Sequence, residues 1–191
     1  MLKHEVCQTR LRTSIFIDYR SIHYYLIRYK WEIDWEKFKT YFGKKYDLQE
    51  IYFYEGLITK TAFFDTHKNR NLNDFNNQKK GKETFFKFLK DNGYIVRTKP
   101  VQRLYDDRTK SFKHKCNFDV ELTIDAINTI DKYDQCILGS GDGDFIKLVK
   151  YLKGKHKIVL IMAGKDRLSN ELLKTAHQLI YLKDIKRKIA R

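Results

Sequence analysis

The chain has 191 residues, a length typical of one compact domain with a sizeable core. Its 42% hydrophobic and 33% charged residues, with 9 Gly and 1 Pro, exclude collagen-like, low-complexity and wholly disordered proteins. The 39 Lys and Arg against 24 Asp and Glu give a formal net charge of +15, and such a surface attracts polyanions, of which nucleic acid is the commonest.

Short hydrophobic strands alternate with amphipathic helices along the chain. Runs of β-branched and aromatic residues predict strands at 13–18, 50–54, 94–97, 135–139, 157–162 and 179–182. Apolar residues at helical spacing predict helices at 22–29, 35–42, 84–89, 119–130, 145–152 and 169–176, of which 119–130 is expected to be largely buried. Residues 99–115 show no period and are interpreted as a loop or a small hairpin.

This alternation predicts an α/β protein whose mostly parallel sheet of about five or six strands carries helices on both faces. We expect one domain over residues 13–182, preceded by a basic arm at 1–12 and followed by a basic tail at 183–191. In such a sheet, right-handed crossovers bring the carboxyl ends of all strands to one edge, where functional sites collect.

Four carboxylates are predicted to meet at that edge. Asp18 ends the first strand, Asp142 and Asp144 follow the fourth strand, and Asp119 begins the helix before it. Clustered carboxylates repel one another unless a cation neutralises them, and Mg²⁺ or Mn²⁺ prefers such oxygen ligands. We therefore interpret these residues as a catalytic and metal-binding cluster.

Each acidic residue also has a structural interpretation. Asp119 could serve only as a helix N-cap, and Asp142 could serve only to shape a glycine-rich turn. Asp125 follows Asp119 by about 600° of helical rotation, which places it on a different side of the helix. We expect Asp125, like Ser21 and Ser140, to support the ligands or to be structural.

Three ordered sequence blocks carry a family resemblance. Phe-Ile-Asp at 16–18, Asn-Phe-Asp-Val-Glu-Leu-Thr-Ile-Asp-Ala at 117–126 and Ser-Gly-Asp-Gly-Asp-Phe at 140–145 are similar to the signature blocks of NYN domains, the LabA-like branch of the PIN-like nuclease superfamily. The resemblance spans about residues 13–182. It implies a Rossmann-like PIN-type fold, metal-dependent ribonuclease chemistry, and an acidic metal site formed by Asp18, Asp119, Asp142 and Asp144.

The chain departs from the family pattern at two positions. Ser21 stands where many relatives have Asn, and it offers one hydrogen-bonding group where Asn offers two. His177 stands where relatives often have Asp, so a further acid is absent.

A basic segment leads directly into Asp119, and its cations are expected to hold the backbone of a bound RNA. These cations are Arg97, Lys99, Arg103, Arg108, Lys110, Lys113 and Lys115. Lys79, Lys80 and Lys82 are expected to add to the same rim. Unpaired bases could stack on aromatic residues, the candidates being Tyr24, Tyr25, Tyr54, Tyr105 and Phe112. His114 is interpreted as a phosphate contact or a solvated loop residue.

The sequence lacks the motifs of several other classes of enzyme. The chain has no Gly-x-x-x-x-Gly-Lys-Ser/Thr loop for a nucleotide phosphate, no Gly-x-Ser-x-Gly nucleophile turn and no His-Glu-x-x-His zinc motif. Its three cysteines, Cys7, Cys116 and Cys136, form no Cys-x-x-Cys pair and are expected to be reduced thiols. The charged start lacks the apolar segment of a secretion signal, so we expect a cytoplasmic protein without a membrane partner.

The sequence therefore favours a metal-dependent endoribonuclease that uses Mg²⁺ or Mn²⁺ and leaves 5′-phosphate and 3′-hydroxyl ends. One alternative is a catalytically weak RNA-binding or regulatory module with the same fold. Another is a phosphohydrolase of small substrates, which the extended basic segment disfavours. Besides RNA, the candidate partners are a second copy of the chain and a regulatory protein.

Overall fold

Six parallel strands form the central sheet of the protein, whose computed structural model describes residues 10–191. The predicted arm therefore lies largely outside the described residues. The sheet strands are β1 (Arg12–Asp18), β2 (Asp47–Leu57), β3 (Ile95–Pro100), β6 (Gln135–Gly139), β7 (Ile158–Ala163) and β8 (Gln178–Tyr181). They lie side by side in the order β3-β2-β1-β6-β7-β8, and every neighbouring pair is parallel. The predicted sheet is confirmed.

Helices cover both faces of this sheet, as predicted. The helices are α1 (Tyr19–Arg28), α2 (Trp35–Lys45), α3 (Lys60–Thr66), α4 (Leu72–Asp91), α5 (Asp119–Asn128), α6 (Ile146–Gly154), α7 (Asn170–Thr175) and α8 (Leu182–Ile189). Helices α1, α2, α4 and α8 pack on one face, whereas α5, α6 and α7 pack on the other. Between residues 10 and 191, no helix has both the length and the apolar character that crossing a membrane requires.

Two apolar cores result from the two-residue period of the strands. In β1, Ile15 and Ile17 face the α1 side, and Phe16 between them faces the α5 side; all three are fully buried. A strand that is covered on both faces needs a continuous apolar run of this kind. The run ends at Asp18, the first acidic residue of the strand, which is placed at the carboxyl edge of the sheet.

Helix α5 corrects one prediction. Residues 119–130 were expected to be largely buried, yet the side chains of Val120 and Ile124 are 67% and 50% exposed. Only Leu122 and Ala126 of this helix are buried against the sheet. The helix packs on the sheet through the side that carries Leu122 and Ala126. The apolar period does not distinguish that side from the one that carries Val120 and Ile124.

Three segments without a definite sequence prediction form regular secondary structure. Residues 72–83, which lie before the helix predicted at 84–89, are also helical: α4 begins at Leu72, where Asn71 and Asp74 form a reciprocal capping box. The aperiodic segment is a hairpin of antiparallel strands β4 (Gln102–Asp106) and β5 (Ser111–Lys115), one of the two predicted alternatives. The predicted basic tail forms α8, whose residues Leu182, Ile185 and Ile189 are buried.

Three helices end with one residue in the left-handed conformation. These residues are Lys30 after α1, Gly93 after α4 and His156 after α6, with φ of 50°, 80° and 60°. In each case the following amide donates to a carbonyl five residues earlier, as in the Schellman motif. Glycine adopts this conformation freely, whereas an L side chain is strained in it.

Replacing the exposed His156 by Gly is therefore expected to stabilise the protein. The relieved strain exceeds the added entropy of the unfolded chain, and the free energy of unfolding should rise by about 1 kcal/mol. Thermal unfolding should show a melting temperature about 2–4 °C higher. The neighbouring Lys155 has φ of −93°, so Lys155→Gly should lower the melting temperature. A lower melting temperature for His156→Gly would contradict this account.

Candidate active site

The predicted acidic residues lie around one pocket at the carboxyl edge of the sheet. Strands β1 and β6 are neighbours, so Asp18 at the end of β1 lies beside the loop that follows Gly139 of β6. Helix α5 begins at the same edge and brings Asp119 to this loop. The pocket has a volume of about 670 Å³, and Asp18, Asp119 and Asp142 all line it.

Asp119, Asp142 and Asp144 form the tightest group of carboxylates at this pocket. One carboxylate oxygen of each residue lies within 4.8 Å of the corresponding oxygens of the other two. Asp142 and Asp144 are exposed, whereas Asp119 and Asp18 are partly buried. Oxygens at such separations suit a shared divalent cation, because hard cations take several carboxylate ligands.

Burial and mutual repulsion disfavour full ionisation of this site. Burial raises the pKa of Asp18 to about 6, and the negative charges of Asp119 and Asp142 add to the shift. Burial also raises the pKa of Asp119, with Asp142 and Asp144 contributing repulsion. The site therefore gains electrostatically when a cation binds to it.

Two serines connect the end of β1 and the start of α1 to the loop after β6. The Ser140 hydroxyl donates to Oδ2 of Asp18 at 3.2 Å and accepts from the Asp142 amide at 3.3 Å. The Ser21 hydroxyl accepts from the Gly141 amide at 3.3 Å. Both serines thus contact the loop that carries Asp142, and their role in supporting the ligands of a metal ion stays a prediction.

Close backbone packing holds the other side of this loop. The Gly141 carbonyl accepts from the Ser169 amide at 3.0 Å. A Cβ at Gly141 would overlap the carbonyl group of Arg167, so the two loops approach as closely as a glycine allows. The position of Asp142 thus depends on the segment that follows β7.

Asn117 is a positioning residue that the sequence interpretation missed. Its side-chain amide donates to Oδ2 of Asp119 at 2.6 Å, and its side-chain carbonyl accepts from the Asp119 amide at 2.7 Å. These two bonds orient the carboxylate toward Asp142. An Asn two residues before an acidic helix start is a signal for such a turn.

Three residues of the pocket rim were also not identified as a group: Arg20, Tyr24 and Arg167. Arg20 donates to the Cys116 carbonyl at 3.2 Å and to the Tyr24 hydroxyl at 3.2 Å. The Arg167 guanidinium lies 5.3 Å from the centre of the Tyr24 ring. Arg20 lies two residues after the end of β1 and Arg167 four residues after the end of β7, and this placement near the carboxyl edge could have indicated them.

Asp125 lies outside the pocket. Its carboxylate accepts from the Tyr54 hydroxyl at 2.9 Å and from Nε of Arg97 at 3.0 Å. The carboxylate joins β2, β3 and α5, which is a structural place and not a part of the acidic group.

Most cations of the predicted RNA-binding segment contact carboxylates. The pairs are Arg97–Asp125 at 3.0 Å, Lys99–Glu121 at 2.5 Å, Arg103–Asp65 at 2.5 Å, Lys113–Asp106, Arg108–Asp106 at 3.6 Å and Lys110–Asp107 at 3.9 Å. Lys115, in contrast, lines the acidic pocket and has no such pair within residues 10–191. Lys82 of the predicted rim pairs with Glu55 at 2.9 Å.

Two of the proposed stacking residues are inaccessible. Tyr25 and Tyr54 are buried, so their assignment to base stacking is wrong. Tyr24, Tyr105 and Phe112 are 43%, 51% and 45% exposed and keep accessible rings. Both cysteines in the described part, Cys116 and Cys136, are free thiols, as expected.

The two histidines singled out earlier contact other parts of the fold. His114 is partly buried and contacts Oδ2 of Asp65 at 3.0 Å through Nε2, so the solvated interpretation is wrong. His177 accepts from the Val159 amide at 3.0 Å, near the amino end of β7. That end is opposite the acidic pocket, so the departure at His177 removes no carboxylate from it.

Replacing Asp18 by Asn is expected to stabilise the metal-free protein in a pH-dependent way. Because folding raises the pKa of Asp18 to about 6, the folded state binds more protons than the unfolded state between about pH 4 and 6. The free energy of unfolding of the wild type should therefore fall as pH rises through this range. In EDTA at about pH 8, Asp18→Asn should unfold with roughly 2–3 kcal/mol more free energy than the wild type.

Urea unfolding with EDTA at about pH 8 and about pH 4 checks this expectation. The difference between variant and wild type should be much smaller at the lower pH, where Asp18 is neutral in the folded state and about half protonated in the unfolded state. If the variant and the wild type differ equally in free energy of unfolding at both pH values, ionisation of Asp18 is not the cause of the difference.

Comparisons with known proteins bear on the family of this chain and on its fold. The sequence model of the NYN domain family matches residues 12–183. The chain is 28% identical over 178 residues to the low amplitude and bright protein LabA of Synechococcus elongatus, covering 92% of this chain and 86% of LabA. A crystal structure of a Vibrio parahaemolyticus protein of unknown function superposes with a TM-score of 0.71 at 22% identity, covering 96% of this chain and 98% of that one.

Proposed function

The chain belongs to the NYN domain family, within the PIN-like nuclease superfamily, and on that premise we propose that it is a metal-dependent endoribonuclease. The observation that carries the proposal is the group of Asp119, Asp142 and Asp144 beside Asp18 in a pocket with a cationic rim. The acids suit a metal ion, and the rim suits the phosphates on either side of it. The charge of the whole chain, +15, favours a polyanionic substrate.

The donor set fits Mg²⁺ or Mn²⁺. The clustered ligand atoms are carboxylate oxygens, which these hard cations prefer over nitrogen or sulfur. Burial raises the pKa of Asp18, and the charges of Asp119 and Asp142 add to the shift, so a cation bound here would favour the ionised carboxylate. A divalent ion held by Asp18, Asp119, Asp142 and Asp144 would lower the pKa of water and offset charge on the leaving oxygen.

The residues around the acids have separate tasks in this proposal. Asn117 keeps the Asp119 carboxylate turned toward the pocket, and Ser140 does the same for Asp18. Lys115, Arg20 and Arg167 on the rim hold the phosphates next to the scissile one. Attack of water on phosphorus with departure of the 3′ oxygen leaves 5′-phosphate and 3′-hydroxyl ends.

Ser21 supports a second candidate, a catalytically weak RNA-binding or regulatory module. Its hydroxyl holds the Gly141 amide, so it has one group fewer than Asn for a carboxylate or a bound water. In that case the fold and the phosphate contacts would remain, while turnover would be slow.

One experiment separates the two candidates. A labelled single-stranded RNA is incubated with the protein in Mn²⁺ or in EDTA, and the products are tested for ligation, which requires a 5′-phosphate. Cleavage in Mn²⁺ that stops in EDTA and yields ligatable products supports the endoribonuclease. Binding without cleavage in Mn²⁺ and in Mg²⁺ supports the regulatory module.

A further inference from the structure

A second cleft adjoins the acidic pocket, and the two share Asp166. This cleft has a volume of about 640 Å³ and lies between α1, α8 and the loop after β7. We call it the Tyr29 cleft; it is lined by Tyr25, Tyr29, Trp31, Lys165, Asp166, Lys183 and Lys186. A chain that leaves the acidic pocket past Asp166 therefore enters an aromatic surface with three lysines.

The aromatic wall of the Tyr29 cleft is held in place by the fold. The Tyr25 ring packs so closely on Gly164 that a Cβ at Gly164 would overlap it. The centre of the Tyr29 ring lies 4.5 Å from that of Tyr25, and Tyr29 is 47% exposed. The end of α1 positions Trp31, whose amide donates to the Leu26 carbonyl at 3.2 Å. The fold thus fixes the Tyr25 ring, on which Tyr29 packs, and the backbone position of Trp31.

The cations of the Tyr29 cleft are available to an anion. Within residues 10–191, neither Lys165 nor Lys186 has a carboxylate within 4 Å, and Lys183 has one only at 4.0 Å, from the exposed Asp184. The ammonium of Lys186 lies 5.6 Å from the centre of the Trp31 ring. Asp166, the acid at the junction with the pocket, is neutralised by Arg28 at 2.8 Å.

The predicted basic segment differs in this respect. Arg97, Lys99 and Arg103 each hold a carboxylate at 3.0 Å or less, and a phosphate would have to displace that carboxylate. The lysines beside the exposed Tyr29 and the partly buried Trp31 offer phosphate contacts and base stacking without such a loss. The two surfaces thus differ in how easily they can take a polyanion.

We propose that the Tyr29 cleft binds unpaired nucleotides of the RNA whose scissile phosphate lies in the acidic pocket. Bases stack on Tyr29 and Trp31, and phosphates contact Lys165, Lys183 and Lys186. Rings in a cleft reach bases only when these are unstacked, so the substrate is single-stranded on this side of the cut. The placement of the scissile phosphate in the acidic pocket rests on the proposed function, whereas binding of nucleotides in the Tyr29 cleft does not require cleavage.

Fluorescence anisotropy of a short labelled oligouridine in EDTA tests this binding in the absence of turnover. Tyr29→Ala should weaken binding about tenfold, and Tyr29→Phe, which keeps the ring, should restore it. The double variant Lys183→Gln/Lys186→Gln should make the plot of log K against log salt shallower by roughly 1.4. A matched control is Lys147→Gln/Lys150→Gln, two exposed lysines of α6 on the other face of the sheet, which should leave the slope unchanged.

Three results would overturn the proposal. One is wild-type affinity of Tyr29→Ala, checked for folding by its melting temperature. Another is a plot of log K against log salt that becomes shallower for the hairpin variant Arg108→Ala/Lys110→Ala/Lys113→Ala but not for Lys183→Gln/Lys186→Gln. A third is equal affinity for a duplex of the same length. If the wild type does not cleave RNA in Mn²⁺, the proposed function is refuted, while the binding results for the Tyr29 cleft still stand.

Discussion

Replacing Asp142 by Asn is expected to lower the rate of RNA cleavage at least about 100-fold while the fold is retained. Residues that only support metal ligands change affinity or activity by about 10–100-fold, and loss of a charged ligand should exceed that range. The Asn side-chain oxygen can still accept from the Asp144 amide, as Asp142 does at 3.1 Å, so the turn should persist. Removing one negative charge from the group also relieves repulsion, and the melting temperature in EDTA should rise or stay level.

Single-turnover cleavage in Mn²⁺ and thermal unfolding in EDTA measure the two effects. Asp131→Asn is a matched control, because Asp131 is exposed and lies before β6, at the opposite end of that strand from Asp142. It should cleave like the wild type. A marked drop in the melting temperature of Asp142→Asn would contradict the assignment and show that Asp142 is mainly structural.

Replacing Gly141 by Ala is expected to destabilise the protein by about 2–3 kcal/mol or more. The added methyl group overlaps the Arg167 carbonyl, which is backbone and cannot rotate away as a side chain would. The two loops must separate, and the bond from the Ser169 amide to the Gly141 carbonyl is strained as a consequence. The melting temperature should fall by roughly 5–10 °C, and cleavage should fall with it because Asp142 moves.

Gly81→Ala provides the comparison for this variant. Gly81 lies in the interior of α4, and a Cβ there would have no atom within 4 Å. Its replacement should raise the free energy of unfolding by about 0.5–1 kcal/mol. Unchanged stability of Gly141→Ala would contradict the close approach of the two loops.

The convergence of the acids was predictable because it depends on topology alone. Asp18 and Asp142 follow neighbouring parallel strands, and any right-handed α/β sheet brings such ends together. Asp119 could be added because its helix immediately precedes β6. The helical cover on both faces follows from the same alternation of patterns, which does not determine the order of the strands.

The engagement of the basic segment was not predictable from its composition. Arg97 reaches Asp125 from a strand to a helix, and Arg103 reaches Asp65 from a hairpin to α3, over separations of 28 and 38 residues. A count of charges along a segment does not show which of them meet opposite charges in space. The Tyr29 cleft was missed for the same reason, since its rings and lysines come from three separated parts of the chain.

The exposed side of α5 shows a further limit of periodicity. Val120 and Ile124 follow the helical period as well as Leu122 and Ala126 do, yet only the latter pair meets the sheet. An apolar period identifies a helix, whereas the covered side depends on which elements pack against it.

Manganese binding, measured by electron paramagnetic resonance on the same samples used for RNA cleavage, tests the central claim most directly. Free Mn²⁺ gives a strong signal that weakens when the ion binds, so occupancy and turnover are recorded together. We predict that the wild type binds Mn²⁺ and cleaves in proportion to its occupancy, and that Asp119→Asn/Asp142→Asn loses both. Cleavage that persists in EDTA, or Mn²⁺ affinity that the double variant retains, would contradict a metal-dependent nuclease site at Asp18, Asp119, Asp142 and Asp144.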